Sequence, residues 1–158
     1  MSQAGAAEVF SADERRALAS VLDLVIPRSR DGRMPAAGEL GLAAQIERVA
    51  QRDPGLRGAL ATGVAALGEN ARRRGGADFA SLAEPDRLAV LKEVAAAQPG
   101  FLPGLIFHTY VAYYQAGRVL EGLGLAPQPP FPKGHVLEPF DAALLEPARR
   151  RGKLYRDA

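Results

Sequence analysis

Residues 11–27, SADERRALASVLDLVIP, carry the clearest structural signal in the chain. Ser11 and Glu14 have capping-box spacing, and Asp13 and Glu14 put negative charge where a helix dipole is positive. Leu18, Val21, Leu22, Val25 and Ile26 follow at steps of three and four, which predicts one apolar stripe facing a core. Pro27 ends the element, because proline lacks the amide a helix needs and pushes Ile26 out of helical geometry.

The same pattern repeats outward. After a polar loop over Arg28 to Pro35, Leu42, Ile46, Val49 and Ala50 predict a second helix from about Leu40 to Arg52. Asp53 and Pro54 open a third, whose stripe Leu56, Leu60, Val64, Leu67 and Ala71 runs to Gly75 and Gly76. A fourth begins near Glu84, with Leu88, Leu91 and Val94 as its buried face, and closes at Pro99 and Gly100. The fifth, from Phe101, has hardly any polar side, so it is either central to a bundle or shared with a partner. Gly117 interrupts it, and the last apolar turns end at Gly124.

Beyond Ala126 the prolines at 127, 129, 130, 132 and 139 forbid helix interiors and favour an extended, polyproline-like path. Interspersed Phe131, Val136, Leu137, Phe140, Leu144 and Leu145 are too apolar for a solvated linker and require a cover. The expected architecture is therefore all-α: a bundle of about five helices over residues 1–125, then an extended Pro-rich and basic tail over 126–158 that packs on the bundle or on a partner.

Composition narrows the chemistry. The 158 residues include no cysteine, which excludes disulfides, thiolate nucleophiles and cysteine-held metals. A net charge of +2 is too small to imply nucleic acid as a general partner. Met1 to Val9 has neither a basic residue nor an apolar run, so no export signal is expected, and no segment reads as a membrane span. The cytoplasm is the expected compartment, and the periplasm only if the chain is exported with a partner.

His108 and His135 are the only histidines and sit far apart in sequence, so His108 is expected to be a packed histidine with a satisfied hydrogen bond. Ser29, Asp31 and His108 have the residue types of a nucleophilic triad, but no elbow motif surrounds them. No Gly-rich turn opens a helix after a strand, so no dinucleotide cradle is expected. No catalytic, cofactor-binding or metal-binding residue is assigned.

Tyr110, Tyr113 and Tyr114 spread over two faces of the fifth helix, and core or interface roles both fit. The basic run Arg149, Arg150, Arg151, Lys153 and Arg156 is either solvated or a docking element, and Tyr155 within it favours a protein contact. The candidate interface residues are Phe107, Tyr110, Tyr113, Tyr114, Pro130, Phe131, His135, Phe140, Arg150 and Tyr155. Two other readings stay open: a stand-alone enzyme or ligand binder with a pocket around His108, Tyr110 and Tyr114, and a basic module for nucleic acid or membrane.

FSADERRALASVLDLVIPRSRDGRMPAAGELGLAAQIERV, residues 10–49, resembles the opening of the gluconate 2-dehydrogenase subunit 3 family. The shared features are a capped helix ending in Ile26-Pro27, a polar loop, Pro35-Ala36-Ala37-Gly38, and a second helix from Gly41. FHTYVAYYQAGRVLEGLGL, residues 107–125, is similar to the family's closing helix, and PPFPKG, residues 129–134, to its tail. The resemblance implies a non-catalytic small subunit in a hetero-oligomer with a large FAD-dependent dehydrogenase of the glucose-methanol-choline type. The flavin and the catalytic base would then belong to the large subunit. Members of the family often carry a twin-arginine signal, and Met1 to Val9 has no arginine.

Overall fold

The fold is described from a computed structural model, in which residues 9–127 and 141–151 are placed. The chain divides into two units, Met1–Pro127 and Gln128–Ala158.

The first unit holds five long helices and a short sixth: α1 (Ala12–Val25), α2 (Leu42–Ala50), α3 (Pro54–Arg73), α4 (Glu84–Ala97), α5 (Phe101–Tyr113) and α6 (Gly117–Gly122). The described residues contain no strand. The all-α bundle expected from the apolar periodicities is thus the one that forms.

Local chemistry sets the boundaries. Glu14 N donates to Ser11 Oγ at 3.2 Å and Ser11 N to Glu14 Oε2 at 2.8 Å, completing the capping box of α1. Asp53 accepts the Leu56 amide at 3.0 Å, with Pro54 in the first turn of α3. Gly75, at φ +81°, takes the left-handed conformation that ends α3.

The second helix starts later than its periodicity suggests. Gly38–Leu40 form a separate 3₁₀ turn, and Gly41 adopts φ +66° before α2 begins, so the glycine breaks what the apolar pattern joined. The break after α5 falls at Tyr114 to Ala116, and Gly117 opens α6 rather than interrupting α5.

The core lies between α1, α2, α3 and α5, with α4 packed on α3. Leu18, Val21 and Leu22 of α1 and Leu56, Leu60, Val64, Leu67 and Ala71 of α3 are buried as their spacing predicts. Leu88 is a correction, since it is 41% exposed and Val90 takes its place beside Leu91 and Val94 on the inner side of α4. Polar residues on both flanks, Arg87 and Lys92 among them, blur the stripe there and leave the facing of Leu88 open in sequence.

Phe101 seats α5. Its ring lies so close to Gly63 that a Cβ there would stand 2.1 Å from Phe101 Cδ2, so α3 meets α5 through a missing side chain.

The second unit is described over residues 141–151. The polyproline-like path expected from Ala126 to Pro139 lies, from residue 128 on, outside the described residues; only the later part of the tail departs from an extended course, since Asp141 accepts the Ala143 amide at 2.9 Å, Ala142–Leu145 form a 3₁₀ turn, and Glu146–Arg150 form a short helix, α7. Ala-Ala-Leu-Leu has high helix propensity, and Pro147 sits in the first turn, where it is tolerated.

Candidate functional site

Helix α5 has two faces of nearly equal hydrophobicity, and only one is used inside the first unit. Phe101, Leu105, Thr109, Ala112 and Tyr113 are buried. Phe107, Tyr110, Val111 and Tyr114 recur at steps of three, one and three along the other side, with exposures of 64%, 44%, 43% and 50%. No Asp, Glu, Lys or Arg occurs among the thirteen residues of α5. The stripe is contiguous and charge-free, unlike the singly scattered apolar residues of an ordinary surface.

Packing holds the stripe in place. The Tyr110 and Tyr114 rings stack at 6.1 Å, with planes 17° apart, and Tyr114 meets Tyr113 edge-on at 5.4 Å. Tyr113 points inward, where its hydroxyl donates to the Pro35 carbonyl at 2.8 Å. Burial, with the nearby Tyr114 and Glu39, raises its pKa above the usual tyrosine value. Tyr113 therefore leaves the candidate interface and joins the core, while Tyr110 and Tyr114 stay on the surface.

The Pro35-Ala36-Ala37-Gly38 stretch gains a physical reason from this geometry. Pro35, Ala36 and Ala37 are buried, the Gly38 amide donates to Asp23 at 2.8 Å, and a Cβ on Gly38 would lie 2.5 Å from the Ala19 carbonyl oxygen. Small residues let the loop lie directly on α1. From there Pro35 accepts the Tyr113 hydroxyl and Arg33 donates to the Gly122 carbonyl at 2.9 Å, so the loop also ties down the far end of α5 and the last turn of α6.

Glu47 was not among the sequence candidates. It is buried on α2, where Oε1 accepts the Val9 and Phe10 amides at 2.6 and 3.2 Å and Arg15 binds both carboxylate oxygens. The Arg15 hydrogen bond, the largest influence, and the two amides hold its pKa below the ordinary glutamate value against the opposing effect of burial. The available signal was a carboxylate on an apolar stripe, between Ala43 and Ile46 on one side and Ala50 on the other.

The triad types do not form a triad. Ser29 Oγ donates to Asp31 at 2.5 Å and accepts the Met34 amide at 2.9 Å, so it closes its own loop. Asp31 also accepts the Arg33 amide at 3.1 Å, and the Ser29 and Arg33 hydrogen bonds lower its pKa. His108 is half-buried and meets the edge of Phe107 at 5.1 Å; the hydrogen bond expected for it is not found among the described residues. Tyr110 and Tyr114 stack on each other with roughly half of each side chain exposed.

Among the described residues no three His, Asp or Glu side chains gather as a metal site, and no helix is long and apolar enough to cross a membrane. Of the other interface candidates, Arg150 is exposed in the last turn of α7, whereas Pro130, Phe131, His135, Phe140 and Tyr155 lie outside the described residues.

Fold and site together define a small all-α chain whose most distinctive surface is one apolar helix face. The chain belongs to the family described as gluconate 2-dehydrogenase subunit 3, whose match spans residues 12–118, well over half of the 158. Membership makes it a dehydrogenase subunit and implies a partner dehydrogenase subunit. No curated protein and no solved structure matches the chain.

Proposed function

We propose that this chain is the non-catalytic small subunit of a large FAD-dependent dehydrogenase of the glucose-methanol-choline type, acting on a sugar, sugar acid or other alcohol. In this reading it docks the outer face of α5 on the large subunit and supports that subunit's folding, flavin retention or substrate entrance. FAD and the catalytic base reside in the partner, and the complex is a hetero-oligomer whose compartment follows the partner's. The observation that carries the reading is the charge-free stripe of Phe107, Tyr110, Val111 and Tyr114 in a chain of a dehydrogenase subunit family.

Large aromatics at the centre of an interface typically account for about 2 kcal/mol or more of binding each. Co-expression with any glucose-methanol-choline type flavoprotein encoded next to this chain, followed by purification through this chain alone, is expected to yield a yellow complex. Phe107→Asp combined with Tyr110→Asp is expected to leave a colourless, still helical protein. Recovery of a colourless monomer from the unmodified chain, with turnover of its own that His108→Ala abolishes, would overturn the proposal in favour of a stand-alone enzyme.

A further inference from the structure

With no cysteine in the chain, its sulfur chemistry rests on two methionines, Met1 and Met34. Met34 sits in the loop between α1 and α2, half-buried against the edge of the core. A thioether in that position is open to a small oxidant and is at the same time part of the packing.

What it touches is the last residue of α6. A Cβ on Gly122 would lie 2.9 Å from Met34 Sδ and 2.9 Å from the Arg33 carbonyl oxygen, so the loop rests on α6 through a missing side chain. Arg33 completes the contact, donating from Nη2 to the Gly122 carbonyl at 2.9 Å.

The two sides of this contact are not equally firm. On the loop side, the Met34 amide donates to Ser29 Oγ at 2.9 Å and its carbonyl accepts the Ser29 amide at 3.0 Å, so the backbone is held in both directions. Asp31 in turn accepts the Ser29 hydroxyl, and Pro35, next in sequence, is buried. On the other side, α6 has six residues, of which Val119 is the one buried. A helix that short has little stability of its own and depends on what it packs against. Crowding introduced at the sulfur is therefore relieved by moving α6.

We propose that Met34 is an oxidation site whose sulfoxide releases the last turn of α6 from the loop. The oxidant is a peroxide. One oxygen of hydrogen peroxide bonds to Sδ as the O–O bond breaks, the sulfur gives up two electrons, the peroxide takes them, and water leaves. The added oxygen needs room where the sulfur already meets Gly122. It is also a polar acceptor, which competes with the Gly122 carbonyl for the Arg33 guanidinium. Methionine sulfoxide reductases reverse the step, so the change is a switch rather than damage alone. This inference involves only the loop and α6 and stands whether or not the functional reading above does.

The test exposes the purified full chain to hydrogen peroxide, maps oxygen uptake by peptide mass, and follows amide exchange. The amides of Leu120, Leu123, Gly124 and Leu125 are the reporters, since each is bonded within α6 and its cap. Met34 is expected to gain one oxygen, and these amides to exchange about tenfold faster while α1 and α3 keep their protection. Sulfoxide reductases A and B together should restore the slow exchange. Met34→Leu, which nearly conserves volume, should exchange slowly before and after peroxide. Gly122→Ala, which crowds the sulfur without oxidising it, should give the fast exchange in α6 with no peroxide present. The proposal is overturned if Met34 stays a thioether under peroxide that fully oxidises a short methionine peptide, or if its sulfoxide forms and α6 exchanges as before. Equal loosening of α1 and α3, or a peroxide response that persists in Met34→Leu, overturns it as well.

Discussion

Helices α4 and α5 follow one another, are fourteen and thirteen residues long, and each buries one side in the same unit. Their outer sides differ completely. Helix α4 exposes Glu84, Asp86, Lys92 and Glu93, with Leu88 as an isolated apolar residue, whereas α5 exposes Phe107, Tyr110, Val111 and Tyr114 and no charge. An exposed Leu among charges is ordinary, because folded surfaces always retain apolar atoms. A continuous stripe is not. The contrast separates a helix whose outer side is charged from one whose outer side is apolar, even though both obey the same inward periodicity.

That contrast can be broken from beneath. Glu47→Ala removes the group that fastens Val9, Phe10 and α1 to α2, the helix on which α5 rests. The expected cost is about 3 kcal/mol in chemical denaturation, because Arg15 loses its bidentate contact with this carboxylate and two amides lose their acceptor. The pH dependence has a definite sign. The folded pKa of Glu47 is depressed, so its contribution is complete above the ordinary glutamate range and disappears as pH falls through the folded value. Unfolding curves between about pH 5 and pH 3 should show this loss in the unmodified chain and a smaller one in Glu47→Gln.

A second break acts at the α3–α5 contact. Gly63→Ala places a methyl where the Phe101 ring lies, and is expected to destabilise the fold by about 2–3 kcal/mol and to loosen α5 first, read as faster amide exchange in that helix. The smallest effect sharpens the comparison instead. Leu88→Lys and Val111→Lys should each change stability by no more than about 0.5 kcal/mol. Only Val111→Lys should weaken flavoprotein binding in a pull-down. Equal losses from both would mean that α4 and α5 do not differ in the way proposed.

Periodicity and caps made most of the fold legible, because Ser11, Asp53, Pro27 and Pro54 act locally and need no tertiary information. Leu88 and Tyr113 show where legibility ends. Each sits at a position that serves either face of its helix, and only the packed neighbours decide, a polar exterior for Leu88 and the Pro35 carbonyl for Tyr113. The Glu47 and Arg15 pair is separated by 32 residues, so nothing in either segment announces the other. Half of the apolar face was visible as an excess of hydrophobicity in α5; which half remained outside required the positions of α2 and α3.

The placement of the tyrosines also has an optical consequence. The chain has no tryptophan and four tyrosines, and three of them, Tyr110, Tyr113 and Tyr114, lie at one end of α5. Two of the four, Tyr110 and Tyr114, therefore emit from the surface proposed for docking, with Tyr113 buried beside them. A tryptophan brought close by a partner would quench that emission by energy transfer, so the unlabelled protein can report its own association in a cuvette.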